Sequence, residues 1–98
     1  MTQQIAFILN GHAGHGFART WMDENRTAIE AVAAGGPISV VENGEQIRSA
    51  VEQALALRCK AVVAGGGDGT LNAVASKLVN VPVAFGVLPM GTDRKSVV

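Results

Sequence analysis

The amino-acid sequence predicts an α/β protein built on a parallel sheet of about four strands with flanking helices. Three observations lead there. Short continuous apolar runs of strand length alternate along the chain with longer segments whose apolar residues recur at helical spacing. The connections are short, and strands joined through helices run parallel with right-handed crossovers. Apolar residues make up 48% of the chain with only 4% aromatic, and the abundant Val, Ala, Ile and Gly suit thin strands buried under helices.

Each element follows in order. Ile5-Ala6-Phe7-Ile8-Leu9 is an unbroken apolar run ending in Asn10-Gly11, the pattern of a strand buried on both faces and then a loop. From residue 17 to 34, Trp21, Met22, Ala28, Ile29 and Val32 fall at helical spacing, and Gly35-Gly36-Pro37 ends the helix. Residues 38–41 form a short second strand, after which Glu42-Asn43-Gly44 turns the chain into a second helix. Its apolar stripe is Ile47, Ala50, Val51, Ala54 and Leu55, and the acidic positions between 42 and 52 form a solvated face. Ala61-Val62-Val63-Ala64 is the third strand and runs directly into Gly65-Gly66-Gly67-Asp68-Gly69-Thr70. Leu71, Val74, Ala75, Leu78 and Val79 then mark a third helical face. Past Pro82, residues 83–88 form the fourth strand, which Pro89-Met90-Gly91-Thr92 closes.

Length and charge bound the function. With 98 residues the chain is one domain at most. Eight basic residues balance eight acidic ones, and no run of like charge forms a patch, so nucleic acid is not an expected partner. Cys59 is the only cysteine; it allows no internal disulfide, and beside a strand its expected role is packing. Met1-Thr2-Gln3-Gln4 leads into the first strand with no basic segment and no apolar segment of signal-peptide length, and no stretch is long enough to cross a bilayer. The expected location is the cytoplasm.

The chemistry lies in the third strand-to-helix turn. Three successive glycines let the backbone approach a ligand, and the following helix presents N–H groups that have no intrahelical acceptor. Together they make a phosphate cradle. A carboxylate inside such a loop, Asp68, would be repelled by phosphate unless a cation intervened, so it points to Mg²⁺ or to proton transfer. Thr70 could cap the helix and donate to a phosphate oxygen; a helix cap at Asp68 or Thr70 with no ligand is the competing reading. A Walker A loop is excluded, since no Gly-Lys-Ser/Thr ends the run and Lys77 lies well inside the next helix.

Val63-Ala64-Gly65-Gly66-Gly67-Asp68-Gly69-Thr70-Leu71-Asn72 and Gly86-Val87-Leu88-Pro89-Met90-Gly91-Thr92 resemble, in order and spacing, two signatures of the diacylglycerol kinase catalytic domain. That family includes diacylglycerol, sphingosine, ceramide and bacterial lipid kinases, and its fold is similar to that of NAD kinases. NAD kinases share the Gly-Gly-Asp-Gly core, while the third glycine, Asn72 and the Leu-Pro-x-Gly-Thr element look more like the lipid kinases. The resemblance implies an ATP-binding domain over residues 1–92, the nucleotide-binding half of that fold. It implies that Asn10, Gly65, Gly66, Gly67, Asp68, Gly69, Thr70, Leu71, Gly91 and Thr92 hold the nucleotide, with Asp68 as the catalytic residue and the ligand of Mg²⁺. The lipid acceptor would be engaged only in a longer protein, through a second β-rich domain that this chain lacks; that acceptor could come from a membrane surface, and the chain could self-associate.

The resemblance has departures. Asn10-Gly11-His12-Ala13-Gly14 keeps the asparagine and last glycine of the family's Asn-Pro-x-Ser-Gly but lacks its proline and serine. Val41-Glu42 lacks a threonine often found after strand two. Asp93-Arg94-Lys95 stands where an Asn-Asp commonly follows Gly-Thr, and residues 93–98 correspond codon by codon to a common sequencing adapter. They are therefore expected to be a non-native tail on a truncated gene. His12 and His15 receive no role. Two other readings compete: a dinucleotide site with Gly11, Gly14 and Gly16 after strand one and Glu42 as ribose acceptor, in reversed order from the usual fingerprint, and a non-catalytic oligomeric module.

Overall fold

The computed structural model describes residues 4–11 and 17–89, with side chains from residue 22 to residue 88 in the second span. Strands β1 (Ile5–Asn10), β2 (Ile38–Val41), β3 (Ala61–Gly66) and β4 (Ala84–Pro89) alternate with helices α1 (Phe17–Ala33), α2 (Gly44–Ala56) and α3 (Asp68–Lys77). The sheet has four strands in the order β2-β1-β3-β4, and every pairing is parallel. Fold class and element order are those the alternation predicts.

The strand ends differ from the sequence reading in a way that matters. β1 takes in Asn10, which pairs with Val41, and β3 takes in Gly65 and Gly66, which pair with Leu88 and Pro89. Glycine is a local turn signal, but here ladder partners on two neighbouring strands hold Gly65 extended, and Gly66 keeps a partner on β4. β4 is shifted by one residue and ends on Pro89, which an edge strand tolerates because the missing N–H removes no central ladder bond.

Alternation along β1 sends Ala6 and Ile8 to one face, with Val62, Ala64 and the buried residues of α2 and α3, and Phe7 and Leu9 to the other, with Met22, Ile29 and Ala33 of α1. Burying each large aliphatic side chain contributes about 1.5–3 kcal/mol. Cys59 is buried in the first cluster, in keeping with a packing role.

α2 carries the stripe read from the sequence: Ile47, Ala50, Val51 and Ala54 are buried and Leu55 packs against them. Asn43 begins it, its side-chain oxygen accepting from the Gln46 N–H at 2.9 Å while Gln46 Oε1 accepts from the Glu42 N–H at 2.7 Å. Glu42, Glu45 and Glu52 are exposed, as a solvated face requires.

The other two stripes are narrower than periodicity suggests. In α1, Ala28 is exposed and Val32 is 55% exposed. The helix changes direction at Asn25 (φ −116°, ψ 15°); among the described side chains, Met22, Ile29 and Ala33 reach the sheet, and the side chain of Trp21 lies outside them. In α3, Thr70 and Val74 are buried, whereas Val79 is 65% exposed. The helix ends at Lys77, Asn80 has φ 64°, and the period does not extend to Val79. The turn after α1 passes over the start of β1 through Gly36, where a Cβ would collide with the Ile5 carbonyl. Among the described residues, no helix is long and apolar enough to cross a membrane.

Candidate functional site

The chain leaves β1 through α1 towards β2, and leaves β3 through α3 towards β4. With α1 on one face and α3 on the other, the segments that follow β1 and β3 diverge. A crevice between diverging connections at the carboxyl ends of adjacent strands is where ligands bind in open α/β sheets. Asn10, Gly65 and Gly66 lie at that edge, and the Gly11 N–H donating to the Val41 carbonyl at 2.8 Å anchors the exit from β1.

Gly66 turns the backbone out of the strand with φ 150°, a region that side chains rarely adopt. A Cβ there would stand 2.9 Å from Asn10 Cβ and 3.1 Å from both Cβ and Oγ1 of Thr70. Those two residues meet over the glycine: Asn10 Nδ2 donates to Thr70 Oγ1 at 2.7 Å across sixty positions of sequence. No local pattern could have found that contact, since neither residue type nor spacing encodes it.

Gly67 is the N-cap of α3 and makes no side-chain cap bond. The expectation that Thr70 caps the helix is therefore corrected, as is the competing reading in which Asp68 does so. Thr70 lies inside the first turn, only 5% exposed, with its hydroxyl turned to Asn10. The first intrahelical bond runs from the Leu71 N–H to the Gly67 carbonyl at 3.1 Å. The N–H groups of 68–70 thus have no acceptor within the helix, and they carry the positive end of its dipole.

Gly67, Asp68 and Gly69 are exposed, and nothing would lie within 4 Å of a Cβ added at Gly67 or Gly69. The edge of the helix is open to an anion. Leu71 offers less, because its N–H serves the helix and its side chain packs on the core. Gly91 and Thr92, like His12, His15, Gly14, Gly16 and residues 93–98, lie outside the described residues.

Among the described residues, no three His, Cys, Asp or Glu side chains are placed to hold a metal. Asp68, the exposed carboxylate that the described residues bring to the crevice, does not make a protein cage. It does fit an ion such as Mg²⁺, which keeps several waters and takes one or two carboxylates together with phosphate oxygens. Glu42, the ribose acceptor of the dinucleotide reading, is exposed.

Fold and site together define an α/β domain with the architecture of the diacylglycerol and NAD kinases. The sequence pattern of the diacylglycerol kinase catalytic domain matches residues 4–96. The chain belongs to that family. It is similar over 53 residues, at 47% identity, to a probable lipid kinase YegS-like protein of Klebsiella pneumoniae (strain 342), a match covering 52% of this chain and 18% of that protein. A probable lipid kinase YegS-like protein of Yersinia pestis (strain Pestoides F) is 46% identical over 55 residues, with the same coverage of 52% and 18%. The matched segment thus spans less than a fifth of these relatives.

Proposed function

We propose that this chain is the ATP-binding portion of a lipid kinase that transfers the γ-phosphoryl group of ATP to a lipid hydroxyl such as that of diacylglycerol. The observation that carries the reading is the N-terminus of α3, where Gly67, Asp68 and Gly69 are exposed and the helix begins without a side-chain cap. An uncapped N-terminus with glycines on both sides of a carboxylate suits phosphate oxygens that accept from the backbone.

Asp68 carries a negative charge into the same place. Its carboxylate would hold Mg²⁺, which supplies neutralisation of the charge on the transferring phosphoryl group. Asn10, Gly65, Gly66 and Thr70 shape the floor, and Gly91 and Thr92 complete the nucleotide contacts as the family resemblance implies. Positioning supplies most of the catalysis in such a transfer. In this reading the acceptor pocket belongs to a second domain, the protein works in the cytoplasm, and it meets the membrane only through its lipid.

Titration calorimetry with ADP and ATP, with and without magnesium, tests the proposal. Weak binding strengthened by magnesium is expected, and Asp68→Ala should abolish the magnesium response while leaving the magnesium-free affinity nearly unchanged. Identical magnesium responses in the two proteins would overturn the role of Asp68, and tighter binding of NADH than of ATP would overturn the kinase reading.

A further inference from the structure

We propose that Asn10 and Thr70 are positioning residues, a latch that fixes the first turn of α3 against the end of β1, and that neither is a direct contact of the nucleotide. The inference rests on the nucleotide reading above and reassigns two residues within it. Three observations carry it. Thr70 is only 5% exposed, whereas the adjacent Gly67, Asp68 and Gly69 are exposed. The Thr70 hydroxyl accepts from Asn10 Nδ2 at 2.7 Å. Finally, Gly66 has φ 150° and lets the two residues meet over it, since a Cβ would crowd both partners.

The geometry gives the bond a purpose. α3 follows β3 with only Gly67 between them, and Gly67 has no side chain with which to fix the helix entry. Asn10 ends the neighbouring strand, tied in turn to β2 through its pairing with Val41. A bond from Asn10 to the third residue of α3 therefore sets where the N–H groups of 68–70 stand relative to the sheet. Binding of an oxygen ligand to a row of N–H donors depends on that placement within tenths of an ångström.

The test is a double-mutant cycle with two readouts. For Thr70→Val and Asn10→Ala, ADP affinity in the presence of magnesium should fall roughly fivefold each, the worth of one hydrogen bond. The double variant should fall by the same factor and not by its square, because either change breaks the same bond. Thr70→Ser keeps the oxygen and should stay within about twofold of the unsubstituted protein.

In protein without nucleotide, amide hydrogen exchange at Leu71, the first amide bonded within α3, should accelerate in Thr70→Val and Asn10→Ala alike and recover in Thr70→Ser. Multiplicative losses of affinity, or exchange rates unchanged by either substitution, would show direct ligand contacts and overturn the latch. Accelerated exchange in a chain that binds no nucleotide would sink the nucleotide reading and with it the consequence drawn here for binding, while the bond itself stood.

Discussion

At the scale of single residues, two glycines of one loop have opposite requirements. Gly66 sits at φ 150° with Asn10 and Thr70 pressed against the position of its missing Cβ. Gly66→Ala should cost about 2 kcal/mol or more, from backbone strain and the displaced bond, and thermal denaturation will show it as a lowered midpoint. Gly69 lies in the first turn of α3 with open space around it. Gly69→Ala should stabilise the helix by about 0.5–1 kcal/mol and, in the proposed reading, still weaken ATP binding, because a methyl group would stand where the phosphates are proposed to sit. A loss of stability at Gly69 would contradict that division. Cys59 offers a second check: burial pushes its thiol up from the ordinary value of 9.0. The folded chain then holds a proton that the unfolded chain releases, so this contribution to stability is intact below the unfolded value and is lost as pH rises through the folded one. The urea midpoint should fall between pH 8 and pH 10 by less in Cys59→Ala than in the unsubstituted protein; equal falls would remove the thiol as a cause. Of the candidate site residues, the placing of Asp68 and of Gly65 to Gly69 at the junction of the third strand and the third helix was legible from the motif alone. The partnership of Asn10 and Thr70 was not, because it is made by strand order across the sheet.

At the scale of elements, hydrophobic period located every helix and strand but misjudged how much of each helix the sheet could cover. α2 lies over the sheet with α3 beside it, and Ile47, Ala50, Val51, Ala54 and Leu55 of its stripe all pack in the core. Among the described residues α1 lies alone on its face and bends at Asn25, so the stripe that its described side chains bury is Met22, Ile29 and Ala33. Amphipathic spacing reports what a helix can bury; whether a neighbour exists is a tertiary fact. The same reason explains Gly65, whose turn signal yields to the ladder with β1 and β4. The distinction is measurable in α1. Ile29→Ala should destabilise the fold by about 2–5 kcal/mol through an unfilled cavity, whereas Val32→Ser, at a position 55% exposed, should change stability by less than about 0.5 kcal/mol. Comparable losses in chemical denaturation at the two positions would mean that Val32 is covered in solution.

At the scale of the whole molecule, the turn from Gly66 to Thr70 and the apolar groove are built from different residues. Beside α1 the sheet leaves a groove of about 410 Å³, lined by Phe7, Ile29, Val32, Val63 and Leu88 among others, and Phe85 and Val87 of the edge strand are exposed. None of the residues lining that groove belongs to the turn from Gly66 to Thr70, where the phosphates are proposed to sit. Transfer to a lipid needs the acceptor oxygen held in line with the phosphorus at about 3–3.5 Å, and a group within hydrogen-bond reach to take its proton. At the crevice the described residues supply one exposed carboxylate, Asp68, and in the proposed reading it is committed to the metal. In that reading the described residues would gather nucleotide without placing a lipid hydroxyl against it. The 98-residue protein, offered radiolabelled ATP and diacylglycerol in mixed micelles, is therefore expected to form no phosphatidic acid above the protein-free control, while still showing the magnesium-dependent ATP binding proposed above. Turnover that follows the protein through purification and disappears in Asp68→Asn would refute the separation, and would place both the acceptor and its proton-accepting group within this chain.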